Sequence, residues 1–178
     1  FHKPKTLDEA LVLIDKYQEN GLLMEGGSEV IPNMKSLVVT PDHIISLKHI
    51  PEFDYITYTP GEGLHIGPSC TLTKVEYDPN VQSVYPSLYM GVHGMSNTNI
   101  HNISTVTGNI CYAVPSADTA APLLTLNAEL SVKSVDGERK VPITELFAGV
   151  RRTTLKKKRD RYGYLRSAAR SESRYRIL

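Results

Sequence analysis

The chain has 178 residues, of which 40% are hydrophobic and 22% charged, and a net charge of +1. That length buries the core of one or two domains, and the composition is that of an ordinary soluble globular protein. No run approaches the roughly 18 apolar residues of a membrane span, nothing resembles a secretory leader, and Cys70 and Cys111 are too few for a disulfide framework or a four-cysteine cluster, so a cytoplasmic address with reduced thiols is expected.

In chain order, Thr6-Leu7-Asp8-Glu9 reads as a capping box opening a helix. Ala10, Leu11, Leu13, Ile14 and Tyr17 give that helix an apolar face, and Asn20-Gly21 ends it. Leu22-Leu23-Met24 reads as a short buried strand, followed by a glycine loop and a brief helix from Val30 to Lys35. A strand is expected from His43 to Ile50, and a hairpin from Asp54–Tyr58 and Leu64–Gly67 around Pro60-Gly61-Glu62-Gly63. Two helical stretches follow, near Leu72–Tyr77 and Val81–Val92. The segment from Ser96 to Asn109, with four Asn and His101, reads as too polar for a core element. Asp118 to Leu126 suits a helix. Ala128–Ser134 and Arg139–Val141 pair across Val135-Asp136-Gly137-Glu138, and Thr144–Phe147 starts a last short helix. The expected class is mixed α/β (α+β), with a smaller lobe over 1–51 and a larger one over 52–150.

Two glycine motifs about eighty residues apart carry the chemistry. The first is Glu25-Gly26-Gly27-Ser28-Glu29, and the second is Thr105-Val106-Thr107-Gly108-Asn109, followed by Ser116-Ala117-Asp118. Glycine lets a ligand approach backbone N–H groups without a Cβ in the way, and flanking Ser, Thr and Asn add small polar groups. Two such loops converging on one cleft could hold a dinucleotide pyrophosphate. Taken singly, Gly26-Gly27-Ser28 also reads as a plain strand-to-helix turn, and Asp118 as a helix N-cap. His93 and His101 lack metal-ligand spacing. No Ser–His–Asp or paired-carboxylate arrangement is legible, so no catalytic side chain is assigned.

At these residues the chain resembles the FAD-binding subunit of the molybdenum hydroxylases, the group that includes xanthine, carbon monoxide and nicotinate dehydrogenases. The resemblance runs through Phe1-His2-Lys3-Pro4, Leu7-Asp8-Glu9-Ala10, the first glycine motif, Leu64-His65-Ile66-Gly67, Thr105 to Asn109, Ser116-Ala117-Asp118, Leu126-Asn127-Ala128 and Phe147-Ala148-Gly149. It implies an FAD-binding PCMH-like two-lobed fold. The implied cofactor-binding residues are Leu22, Leu23, Met24, Glu25, Gly26, Gly27, Ser28 and Glu29, then Thr105, Thr107, Gly108 and Asn109, then Ser116 and Asp118. It also implies a heterotrimer with a molybdopterin-binding large subunit and a small subunit carrying [2Fe–2S] clusters, with electrons passing through FAD to NAD or another acceptor. Four positions depart from the family pattern. Thr107 stands in place of a glycine, His101 in place of the common arginine, Ser104 in place of glycine or alanine, and Glu25 puts a carboxylate beside a dianion.

Residues 151–178 carry 11 of the 20 Lys and Arg and a net charge of +9, against −8 for residues 1–150. This basic tail is expected to be disordered or frameshifted. Codons compatible with Lys158 to Tyr164, read one base along, give Ser-Glu-Ile-Val-Thr-Asp, the continuation the family resemblance implies. The chain would then be truncated after about residue 155, without the C-terminal subdomain and inactive alone. The alternative is a non-enzymatic binding protein whose tail contacts nucleic acid or a protein partner.

Overall fold

The computed structural model describes residues 1–135 and 137–155, together with the backbone of Ser167–Ala169. Thr6 is extended, and its Oγ1 accepts a hydrogen bond from the Glu9 N–H at 3.2 Å, which opens α1 (Leu7–Tyr17). The Glu9 carboxylate reaches back to the Lys5 N–H at 2.7 Å, one residue earlier than a capping box requires. The helix buries Ala10, Leu11 and Ile14.

Next, β1 (Gly21–Met24) and β2 (His43–Ser46) pair in parallel, Gly21 opposite His43 and Met24 opposite Ser46, with α2 (Val30–Lys35) in the connection. Each residue of β1 is half-buried rather than buried. The strand expected to reach Ile50 stops at Ser46, and 3-10 turns occupy Leu47–His49 and Pro51–Phe53. Leu47, Ile50 and Phe53 recur every third residue, which suits the three-residue period of that helix. They join Ala10, Ile14 and Ile45 in a small apolar cluster.

The hairpin forms from β3 (Ile56–Thr59) and β4 (Gly63–Ile66). Then come α3 (Leu72–Tyr77), α4 (Pro79–Val84) and α5 (Pro86–His93). The single helix expected over Val81–Val92 is broken at Tyr85, because Pro86 disfavours helical backbone in the residue before it. From the polar stretch after Ser96 come α6 (Thr98–His101) and α7 (Val106–Tyr112). His101, Ser104, Thr105 and Thr107 are buried there, against expectation. His101, Ser104 and Thr105 each find a hydrogen-bond partner, which removes much of the cost of burying them.

After α8 (Ala120–Thr125), β5 (Glu129–Ser134) and β6 (Gly137–Pro142) pair antiparallel, Ser134 opposite Gly137. The last expected helix is instead a 3-10 turn at Ile143–Glu145, and Phe147 begins β7 (Phe147–Gly149), which pairs with β8 (Arg152–Thr153). Finally β9 (Ser167–Ala169) lies between β4 and β5, antiparallel to both, giving a five-stranded sheet of order β3-β4-β9-β5-β6. The larger apolar cluster joins this sheet to the helices through Leu64, Ile66, Leu88, Ile110, Leu123 and Leu130. The fold is mixed α/β. Of the basic tail over 151–178, expected to be disordered or frameshifted, residues 151–155 and Ser167–Ala169 are described and contribute β8 and β9, and the rest lies outside the described residues. No described helix is long and apolar enough to cross a membrane.

Candidate functional site

The two glycine motifs meet. The first follows β1 directly, and the second is carried to it by α6 and the start of α7. Ser104 Oγ donates to Ser28 Oγ at 2.9 Å, and Thr105 Oγ1 donates to Glu25 Oε2 at 2.8 Å. Between these bonds the backbones touch. A Cβ on Gly26 would lie 2.0 Å from the Ile103 carbonyl oxygen, so no other residue fits there. Gly27 has φ +80°, the left-handed conformation that glycine adopts without strain.

Thr105 caps α7: its Oγ1 accepts from the Gly108 N–H at 3.0 Å. Thr107, where a Cβ was expected to obstruct the loop, is buried and points away from solvent, while Gly108 is exposed. Asn109 Oδ1 accepts from the buried Thr119 hydroxyl at 2.5 Å, which ties the second loop to the turn before α8. Ser116 and Asp118 lie exposed on that turn, without a described contact to the first loop. Asp118 does not cap α8; the residue at that position is Thr119, and it makes no side-chain cap. Leu22, Leu23 and Met24 are half-buried on β1, Leu23 against the small apolar cluster, and Glu29 is exposed at the start of α2.

The electrostatics centre on Glu25. Burial pushes its carboxyl up to about 8, and the Thr105 hydrogen bond opposes this only in part. Across the junction, the Cys111 thiol is pushed up to about 12, by burial first and then by Glu25. Further out, Asn33 Nδ2 donates to the Tyr112 hydroxyl at 3.3 Å, and the Arg151 guanidinium lies 5.1 Å from the Tyr112 ring centre. Ile103, Thr119, Tyr112 and Arg151 were not singled out from sequence. Their parts are backbone contact, bracing and stacking, which leave no motif.

Behind the second loop, Glu76 joins two histidines: His93 Nδ1 at 2.8 Å on one carboxylate oxygen and His101 Nδ1 at 2.8 Å on the other. The second ring nitrogen of His101 faces the Met95 carbonyl oxygen. His101 thus fills its buried position between the Glu76 carboxylate on one side and the Met95 carbonyl on the other. Among the described residues no group of three or more His, Cys, Asp or Glu could hold a metal ion.

The family model described as the FAD binding domain in molybdopterin dehydrogenase matches residues 1–159. The nicotinate dehydrogenase FAD-subunit of Eubacterium barkeri is 29% identical over 84% of this chain and 50% of its own length. The xanthine dehydrogenase FAD-binding subunit of Escherichia coli O157:H7 is 31% identical over 87% of this chain and 53% of its own. Among solved structures, carbon monoxide dehydrogenase from Hydrogenophaga pseudoflava superposes with a TM-score of 0.87 at 27% identity, covering 94% of this chain and 58% of that one. Quinoline 2-oxidoreductase from Pseudomonas putida 86, at 22% identity and a TM-score of 0.89, shares the fold. The chain spans about half the length of the curated relatives it matches.

Proposed function

The chain belongs to the family of FAD-binding domains of molybdopterin dehydrogenases, and from that premise we propose that its two joined loops hold the pyrophosphate of FAD. The observation that carries this reading is the pair of cross-loop bonds, Ser104 to Ser28 and Thr105 to Glu25, which bring both glycine motifs to one place.

The residues present fit such a group. Gly108 is exposed and carries no Cβ, while the larger Thr107 is turned inward, so a ligand can approach the start of α7 without meeting a side chain there. Glu25, raised by burial to about 8, is largely uncharged at neutral pH and does not repel a phosphate. In this reading Gly26, Gly27 and Ser28 present backbone and hydroxyl to the phosphates from one side, while Thr105, Gly108 and Asn109, whose hydroxyl and N–H groups are bonded within the junction, shape the opposite wall. On β1, which leads into the first loop, Leu22, Leu23 and Met24 are the apolar residues of this reading, Leu23 anchoring the strand in the small apolar cluster. Asp118 is exposed with its carboxylate free of partners among the described residues, which suits a role as acceptor for a cofactor hydroxyl or amide. Bound FAD would supply electron transfer at its flavin ring, and the protein's part is binding, orientation and electrostatics.

For the whole protein we propose an oxidoreductase component. It would take electrons from [2Fe–2S] clusters of a small partner subunit, with a molybdopterin-binding large subunit upstream, and pass them to NAD or another acceptor. The names of the relatives support this, several being dehydrogenase FAD-binding subunits or medium chains. The two apolar clusters support a division into lobes at about residue 51. Two free thiols support a reducing, cytoplasmic location. The test is co-elution of FAD with the intact chain on gel filtration. Retained flavin that is lost on Gly26→Ala supports the proposal, and absence of flavin from the protein peak at saturating FAD overturns it.

A further inference from the structure

Arg151 stands where the three stretches carrying the proposed cofactor residues come together. Its backbone N–H donates to the Ala113 carbonyl oxygen at 2.7 Å, where α7 ends and the turn bearing Ser116 and Asp118 begins. Its guanidinium lies 5.1 Å from the centre of the Tyr112 ring, on the last residue of α7. The Tyr112 hydroxyl accepts from Asn33 Nδ2 at 3.3 Å, which ties the pair to α2, the helix behind the first glycine loop. Cys111, the residue before Tyr112, feels the charge of Glu25, so the last turn of α7 runs alongside that loop.

The backbone is committed to this placement. The β7–β8 hairpin turns through Val150 and Arg151, and Arg151 takes φ +56°. Glycine or asparagine is the unstrained occupant of such a position. Ala113, its hydrogen-bond partner, is left-handed as well, at φ +52°. A long cationic side chain thus occupies a turn position that favours a small one.

Stacking on a ring uses the flat face of a guanidinium and leaves its N–H edge for in-plane bonds to phosphate or carboxylate oxygens. Among the described residues no acceptor takes that edge, and Arg151 is exposed. Residues 1–150 carry a net charge of −8, a field that opposes a dianion. The Thr105 hydroxyl and the Gly108 and Asn109 N–H groups are already bonded within the junction. Among the described residues no Lys or Arg forms an ion pair with either glycine loop.

Resting on the loop assignment above, we propose that Arg151 is a phosphate-binding residue: stacked on Tyr112, it offers its N–H edge to the FAD pyrophosphate and supplies the positive charge that the two glycine loops lack. The loops then select the pyrophosphate by shape, and Arg151 attracts it by charge. Because the guanidinium is exposed, dissolved salt screens the contact.

The experiment is titration of the intact chain with FAD at pH 7, followed by flavin fluorescence, at about 50 and about 500 mM NaCl. It compares the unmodified protein, Arg151→Gln and Arg151→Lys. At low salt Arg151→Gln is expected to bind FAD about tenfold or more weakly. Arg151→Lys, which keeps the charge without the planar fork, is expected to fall between. High salt is expected to weaken the unmodified protein several-fold and Arg151→Gln little further. Loss of affinity by the same factor at both salt concentrations would make Arg151 a structural brace and overturn the proposal. FAD affinity of the unmodified protein that salt leaves unchanged overturns it too, and that measurement needs no variant to fold. Either result leaves the FAD assignment standing, whereas absence of FAD binding by the unmodified protein overturns both.

Discussion

Thr105 Oγ1 lies 2.8 Å from Glu25 Oε2, a hydrogen bond across 80 positions of sequence that also sits at the cap of α7. One hydroxyl therefore does two things. It closes the junction between the glycine loops and satisfies the Gly108 N–H. Replacing it removes both bonds at a buried position. Thr105→Ala is expected to cost about 1–3 kcal/mol of stability and to weaken FAD binding, whereas Thr105→Ser keeps both. Urea unfolding of the three proteins checks the order.

Glu25 makes stability depend on pH. Its folded-state carboxyl is raised to about 8, so between the ordinary carboxylate range and that value the folded chain keeps a proton that the unfolded chain releases. Stability contributed by this group therefore falls as pH rises through that window. Thermal midpoints of the flavin-free chain between pH 5 and 8 are expected to fall more steeply than those of Glu25→Gln. Parallel curves would remove this role for Glu25.

Gly26 and Gly61 separate packing from conformational strain. A methyl group at Gly26 meets the Ile103 carbonyl oxygen at 2.0 Å, backbone against backbone, so Gly26→Ala must part the two loops. At Gly61 nothing lies within 4 Å, and only the φ of +86° opposes a side chain. Gly61→Ala is expected to lose about 1 kcal/mol and retain flavin. Gly26→Ala is expected to lose flavin. Equal flavin retention by the two variants would contradict the junction.

The Glu76–His101 pair supports the second loop from behind. The hydrogen bonds from His93 and then His101 hold the Glu76 carboxyl below its ordinary range. Its contribution is thus present above that range and is lost as pH falls through the lowered value. His101→Leu leaves the half-buried Glu76 carboxylate with His93 alone and the Met95 carbonyl without its ring partner, and is expected to cost about 1–3 kcal/mol. His101→Arg supplies a permanent cation to the same two acceptors and is expected to recover most of it. Denaturation at pH 7 distinguishes the two variants.

Much of this was legible in sequence where local chemistry decided the outcome. Thr6, the Pro60–Gly63 turn and the two glycine motifs each specify their own backbone, and α2 and α3 have their expected bounds. The misses occurred where a neighbour or a distant partner decides. Pro86 breaks a helix whose apolar pattern continues through Tyr85. Ser104, Thr105 and Thr107 read as solvent-facing because they are polar, yet they are buried; the partners that make this possible for Ser104 and Thr105, Ser28 and Glu25, are over seventy residues away. Glu25 read as a liability beside a phosphate, since nothing in its own neighbourhood of sequence announces the burial that neutralises it.

The most direct test of the central claim, that the joined loops hold the pyrophosphate of FAD, is to titrate the intact chain at pH 7 with FAD and, side by side, with FMN, following flavin fluorescence. FMN carries the same ring and lacks the pyrophosphate and adenosine. The account predicts saturable binding of one FAD per chain, about tenfold or more tighter than FMN, with the preference abolished by Gly26→Ala. Equal affinity for the two flavins, or a preference untouched by Gly26→Ala, would contradict it.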